Sequence, residues 1–534
     1  MSFMSKFVAV FAATISFLLP AGPAVASNAI VSTDVKHDVS ALLSQMVSQA
    51  PLNAGSQTQQ ALMPQPTGMT FSSSQTDPVA STLSTSLSGV STGVNFEGQN
   101  DNDTLALLGV KFVPPDTNGA VGATQFLQMV NVTLAVYDKR TGARVLGPAL
   151  ISSIWTGFGG PCEAGNGGDP VVLYDQLAGR WLVSQLQFNS NFSSNQECIA
   201  VSTTSDATGS YARYQFDFGN QLPDYPKFGV WPDAYYSSQN MFQTRGGSFT
   251  FLGARACALD RAAMLNGASA TQLCFQTGAA SLLPSDLDGS TLPAAGSPNF
   301  FVNLADSSNL NLFQFHTDFA NPANATFTGP AQIAVAPFSQ LCPFAVNLAC
   351  IQEPSPGERL DSLDDRLMFR LAYRNFGDHE SIVVNHTIKN SAALAGVRWY
   401  EVRSPQSSPF VFQQGTVIDP STNFWMGSIA MDKVGNMALG FSAASLNLDP
   451  SVFVVGRAPI DPLGIMSGPL VLVNGTGVQQ RSFNRWGDYS AMSVDPSNDC
   501  TFWYTQEYYK TTGSFNWTTR IGSFTFDSCK PHGK

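Results

Sequence analysis

Nine ionisable residues in this chain are of types that act on polar ligands: Asp116, Asp169, Asp233, Asp365, Asp488, Glu507, Arg366, Arg485 and His386. Three tryptophans, Trp231, Trp425 and Trp486, immediately flank members of this set or its equivalents. They are tens to hundreds of residues apart, so they act together only if the fold gathers them. A ring of carboxylates with interspersed arginines then has three uses. It can hold Ca2+, a hard cation that takes several oxygen ligands. Two carboxylates at a suitable separation can cleave a glycosidic bond, one as acid and one as base or nucleophile. The candidates for that work are Asp169, Asp233, Asp365 and Asp488. Alternatively, each Asp caps a strand start or accepts bonds from neighbouring backbone amides, a structural role. Asp116, Arg366, His386, Arg485 and Glu507 would line the ligand site, with Trp231, Trp425 and Trp486 as a stacking platform.

Other chemistries lack a motif. There is no G-x-S-x-G elbow, H-E-x-x-H, P-loop or dinucleotide fingerprint. His379 and Glu380 look like partners in sequence. Asp286-Leu287-Asp288-Gly289 resembles part of a calcium loop but has no distal Glu. No cofactor is demanded, and Ca2+ is the one ion the ring would suit; no metal site is picked out by spacing.

The elements that must position these residues are short β-units. Gly168 to Asp175 is followed by Gly179 to Ser184, Ser428 to Asp432 by Gly435 to Phe441, and Gly487 to Asp495 by Cys500 to Tyr504. Each pairs a β-run with a turn built on Asp and Gly or Asn. Such repetition predicts an all-β fold, a β-propeller of about seven four-stranded blades, with six as the alternative. Innermost strands are expected to open at Asp116, Gly168, Trp231, Asn299, Asp365, Trp425 and Gly487. Neighbouring strands in a blade are antiparallel, so starts of innermost strands and ends of second strands share a face. That gathers the acidic set on one face and sends His379 and Glu380 to the other.

Composition sets the surroundings. Lys6, the apolar run from Phe7 to Leu19 and Ala24-Val25-Ala26 read as a secretory signal peptide over 1–26. Residues 27–105 read as a disordered, flexible leader containing one short amphipathic helix within 31–50. The propeller is expected over 106–529, with a tail at 530–534. No later stretch is long and apolar enough to span a membrane, so the mature protein is expected outside the cell or in the periplasm. With 8 Cys, sequence-local pairing gives Cys162–Cys198, Cys257–Cys274, Cys342–Cys350 and Cys500–Cys529. A net charge of −11 argues against nucleic acid as a partner and leaves an extracellular glycan or other polar ligand. Nothing in the sequence sets the oligomeric state.

The units at Ser428–Phe441 and Asp488–Tyr504 resemble repeats of sialidase-type (BNR or Asp-box) β-propellers. The chain is also similar to secreted bacterial proteins of unassigned function that share the Pro114–Gly119 and Arg485–Tyr489 segments. The first resemblance implies the fold. It does not by itself bring sialidase chemistry: no full Asp-box is present, and beside Arg366 and Arg485 the sequence identifies neither a third pocket arginine nor the Tyr/Glu nucleophile pair.

Overall fold

The computed structural model describes residues 28–47, 59–60, 71–73, 77–83, 86–246, 248–342, 349–355, 357–480 and 484–530. The signal peptide expected over 1–26 lies outside the described residues, as does nearly all of the tail. The chain forms a β-propeller of seven blades, each meandering from an innermost strand A to an outermost strand D. The A strands are Asn118–Val121, Val171–Asp175, Gln221–Val230, Leu283–Asp288, Met368–Asn375, Asn423–Met431 and Ala491–Val494 for blades 1 to 7. Blades 4 and 5 are fused, because their A strands pair in parallel from Ser285↔Leu371 to Asp288↔Arg374.

Two A strands differ from expectation. In blade 3 the strand is Gln221–Val230, and Trp231 to Asp233 form the A–B turn. Pro223 and Pro226 disguised this strand, since proline removes ladder donors. The ladder skips from Asp224 to Lys227, so Pro226 sits in a bulge where no donor is required. In blade 4, Asn299 opens strand B rather than strand A.

Described stretches of the segment expected to be a flexible leader form strands at the propeller edges. Ile30–Thr33 extends blade 3, Lys36–Val39 extends blade 2 and Ala80–Thr82 runs parallel to the outer strand of blade 5. Val90–Asn100 supplies the outermost strand of blade 7 and closes the ring. The helix expected within 31–50 shrinks to Leu43–Met46. The span carries the β-branched residues Val31, Thr33, Val35 and Val39, and unpaired outer strands offer such residues a ladder that a lone helix cannot match.

Between blades the core is aromatic. Trp231 meets Tyr373 edge-on at 4.7 Å, and Trp503 of blade 7 stacks on Phe126 of blade 1 at 5.5 Å. All four sequence-local disulfides are formed. Cys257 and Cys274 face each other across strands C and D of blade 3. Such a set belongs to an oxidising compartment. No described helix is long and apolar enough to cross a membrane.

The recurring Asp-and-turn pattern has a local cause. Asp175, Asp432 and Asp495 end A strands and fold the A–B turn onto their own carboxylates. Asp432 Oδ1 accepts the amides of Val434 (3.0 Å) and Asn436 (2.9 Å), Asp175 Oδ1 that of Ala178 (3.1 Å) and Asp495 Oδ1 that of Ser497 (2.9 Å). This is the Asx-turn preference of Asp, used three times.

Candidate functional site: the charged ring at the strand A starts

Five blades enter strand A through the same backbone kink. Asp116, Asp169, Tyr225, Ser281 and Met426 have φ of 46°, 49°, 56°, 51° and 52°. Each stands two residues before its ladder begins or resumes, at Asn118, Val171, Lys227, Leu283 and Ser428. Asp tolerates this left-handed conformation through its short polar side chain, whereas Tyr225 and Met426 have no such device. Each such residue costs on the order of 1–3 kcal/mol, which the surrounding packing must offset.

The kinks deliver charged groups to one end of the axis. Three successive amides of the Arg485–Tyr489 segment each bind a carboxylate from a different part of the chain. Trp486 N donates to Asp361 Oδ1 (2.5 Å), Gly487 N to Glu507 Oε1 (2.6 Å) and Asp488 N to Asp116 Oδ1 (2.7 Å). Consecutive amides form an anion-binding concavity of this kind. Position 487 is tight, because a Cβ there would lie 3.1 Å from Asp116 N. Asn131 links the next blade: its Nδ2 donates to Asp116 Oδ2 (2.5 Å) and its Oδ1 accepts Asp169 N (2.9 Å).

Three cations answer this charge. Arg485 bridges Asp361 (2.9 Å) and Asp488 (2.7 Å), and Arg366 forks onto Asp365 (2.7 and 3.0 Å). Lys227 is fully buried, with its ammonium over the rings of Tyr225 (3.1 Å) and Tyr489 (3.5 Å). Tyr489 donates to Pro226 O (3.2 Å) and approaches Asp169 Oδ2 at 3.4 Å. Eight carboxylates (Asp116, Asp169, Glu197, Asp224, Asp361, Asp365, Asp488, Glu507) thus face Lys227, Arg366 and Arg485. Burial, with the Asp488 charge beside it, lifts Asp169 to about 6. Burial lifts Asp361 to about 7 against the pull of Arg485. Asp116, Asp224 and Glu507 rise well above the carboxylate range for the same first reason, and burial pushes Lys227 well down. Among the described residues no group of three or more His, Cys, Asp or Glu has the arrangement of a metal site.

Of the residues expected here, Asp116, Asp169, Asp365, Arg366, Arg485, Asp488 and Glu507 do meet. Asp233 does not: it sits in the blade 3 A–B turn at the opposite end, where Tyr236 donates to it (3.3 Å). His386 lies inside strand B of blade 5, buried against Phe338 and bonded to Tyr400 (2.9 Å), and burial drives its pKa well down. Trp231, Trp425 and Trp486 are buried in the core, where Trp425 packs on Trp486 at 5.4 Å and Trp486 donates to Ser442 (3.1 Å). No tryptophan platform faces a ligand. Asp286 and Asp288 are both bound by Arg370, so the guanidinium takes the place a cation would have.

Sequence reasoning missed Asp224, Tyr225, Lys227, Asp361 and Tyr489. One signal was present: Tyr225-Pro226 repeats the order of Asp169-Pro170, a kinked residue followed by proline just before the ladder.

Fold and ring together define a seven-bladed propeller with an acid-rich axial end. No family model matches the chain, and no curated protein matches it. Among solved structures it is similar to a GH43 endo-arabinanase from Bacillus licheniformis at 9% identity, over 70% of this chain and 99% of that one, with a TM-score of 0.29. A PL25 ulvan lyase matches at 11% identity over 79% and 95%, with a TM-score of 0.33. The N-terminal domain of Nup159 matches at 10% identity over 84% and 99%, with a TM-score of 0.35. Likenesses this distant carry no argument about this chain, whose fold is read from its own sheet order.

Proposed function

We propose that this is an exported binding protein whose acid-rich axial end takes a glycan or similar polar ligand. The observation that carries the reading is the division of labour within the ring. Asp116, Asp361 and Glu507 are committed to backbone amides and serve the architecture. The pairs Asp365–Arg366 and Arg485–Asp488, from blades 5 and 7, include the least buried groups, with side chains of Asp365, Asp488 and Arg485 9%, 10% and 12% exposed. A guanidinium beside a carboxylate offers donors and acceptors together, which is what vicinal hydroxyls require. The excess of carboxylates adds acceptors for hydroxyl donors and disfavours an anionic ligand.

One observation favours a catalytic version of the same site. Asp169 holds its proton to about pH 6 beside Asp488, which is paired with Arg485. Two carboxylates in unlike environments are the pattern of glycoside cleavage.

The test is a polysaccharide screen of the purified protein, read by binding and by reducing-end release. Asp365→Asn should weaken binding about tenfold or more, the scale of losing one charged hydrogen bond, with little change in melting temperature. Reducing ends released by the wild type but not by Asp169→Asn would establish the catalytic version. If no polysaccharide binds, or Asp365→Asn unfolds the protein while leaving binding intact in the folded fraction, the ring is architectural.

A further inference from the structure

A second cleft lies between blades 6 and 7 at the opposite end of the barrel, with a volume of about 190 Å3. Topology puts it there: Arg457 ends strand C of blade 6, Ser467 begins strand D, and Phe526 ends strand C of blade 7. Leu87 to Gly89 cross it before entering the ring-closing strand.

The charged group of this cleft is built in. Arg457 is 2% exposed. Its Nη2 donates to Asp461 O (2.7 Å), but its buried Nε has no partner. An unanswered guanidinium donor in a protein interior costs free energy, so a buried arginine is kept at this cleft against that cost. Two carboxylates share the lining. Asp461 uses Oδ2 on Ala458 N (2.7 Å), and Asp527 takes Ser91 (3.0 Å) and Lys530 (2.8 Å). Leu87 and Phe526 give one apolar wall, and Ser88, Ser467 and Ser528 give hydroxyls.

Charge and size narrow the occupant. Asp461 and Asp527 are balanced by Arg457 and by the Lys530 ammonium on Asp527, so the lining is near neutral and favours neither an anion nor a simple cation. A neutral molecule whose groups both donate and accept satisfies both signs, and hydroxyls are the groups that do so. At about 30 Å3 per water, the cleft holds roughly six waters' worth of ligand, the scale of one sugar ring rather than a chain. The larger cavity of about 430 Å3 between blades 3 and 4 offers no such chemistry, being lined by Phe275, Phe327, Pro322 and small residues with no charged side chain.

We propose that the Arg457 cleft binds a single sugar residue or comparable polyol, with the guanidinium and Asp461 on its hydroxyls and Phe526 with Leu87 against its apolar face. This site stands apart from the axial ring and does not depend on the reading given to that ring.

The experiment is saturation-transfer NMR of the full mature chain with methyl α-glycosides of glucose, galactose and rhamnose. At least one glycoside should bind. Arg457→Met should weaken it about tenfold or more, as expected for a lost charged donor. Ser467→Trp, at a half-buried position, should fill the cleft and abolish binding even if Arg457→Met fails to fold. Any binding lost with Asp365→Asn belongs to the axial ring, so the cleft is read from the binding that remains in that variant. The proposal is overturned if no glycoside binding remains there, or if what remains survives the further change Ser467→Trp.

Discussion

The two ends of the propeller axis are built from the same residue types and differ in their balance. At the strand A ends, charges are matched nearly one for one. Arg370 holds Asp286 and Asp288, Arg374 forks onto Asp499 (2.7 and 2.9 Å), Arg261 onto Asp175 (2.7 and 3.1 Å), and Lys139 reaches Asp495 (2.9 Å). The axis narrows there to a cavity of about 30 Å3 among Val172, Phe369 and Met492, space for a water or two. At the strand A starts, eight carboxylates face three cations, and the backbone is kinked where several of them enter. Matched charges close an axis. An excess of one sign has to be met by protons, by backbone dipoles or by a ligand.

The comparison is broken most severely by removing a matched cation. Arg370→Ala leaves Asp286 and Asp288 buried without their partner, and breaking a buried pair in this way costs about 3–5 kcal/mol. Urea denaturation should show that loss. A loss under about 1 kcal/mol would mean that this end is not held by its ions.

A smaller effect sharpens the acid end. Asp169 and Asp361 have folded-state values of about 6 and about 7, above their unfolded value. Groups raised in this way bind more protons folded than unfolded. Their contribution is therefore fully present below about pH 4 and is lost as pH rises through 6 to 7. Asp286 at the matched end is also lifted to about 6, so the wild-type profile alone does not separate the ends. Asp361→Asn does: stability measured between pH 5 and 8 should fall less steeply, by about 1.4 kcal/mol per pH unit up to about pH 7, where the folded protein still holds that proton and the unfolded chain has lost it. An unchanged slope would mean that Asp361 is already ionised in the fold.

The smallest effect belongs to the residue that the fold moved to the wrong end. Asp233→Asn should change stability by no more than about 0.5 kcal/mol and leave glycan binding untouched. A loss of binding would relocate the site to the A–B turns.

Much of the architecture was legible. The Asp-and-turn units of blades 2, 6 and 7 announce themselves because Asx-turns and strand alternation are local. Cysteines near in sequence on adjacent strands pair locally, as Cys257 and Cys274 do. Blades 3 and 4 were misplaced where a proline-bearing strand mimicked a loop, since a bulge that excuses proline is visible only once the ladder exists. The leader misled for a related reason: Ile30–Thr33 and Lys36–Val39 have β-branched character but no partner within their own segment.

For the site, the sequence by itself placed Asp116, Asp169, Asp365 and Asp488 ahead of A strands, though it misplaced Asp233, and strand polarity then put those four at one end while sending His379 and Glu380 to the other. Only the tertiary structure decided what those acids do. Whether a carboxylate meets an amide, an arginine or solvent depends on groups hundreds of residues away, as when Asp116 receives the amide of Asp488. Whether a tryptophan faces a ligand or the core depends on which blade packs against it. Local pattern fixes direction and turn; burial and partnership are properties of the closed ring, because only closure brings blade 7 against blade 1.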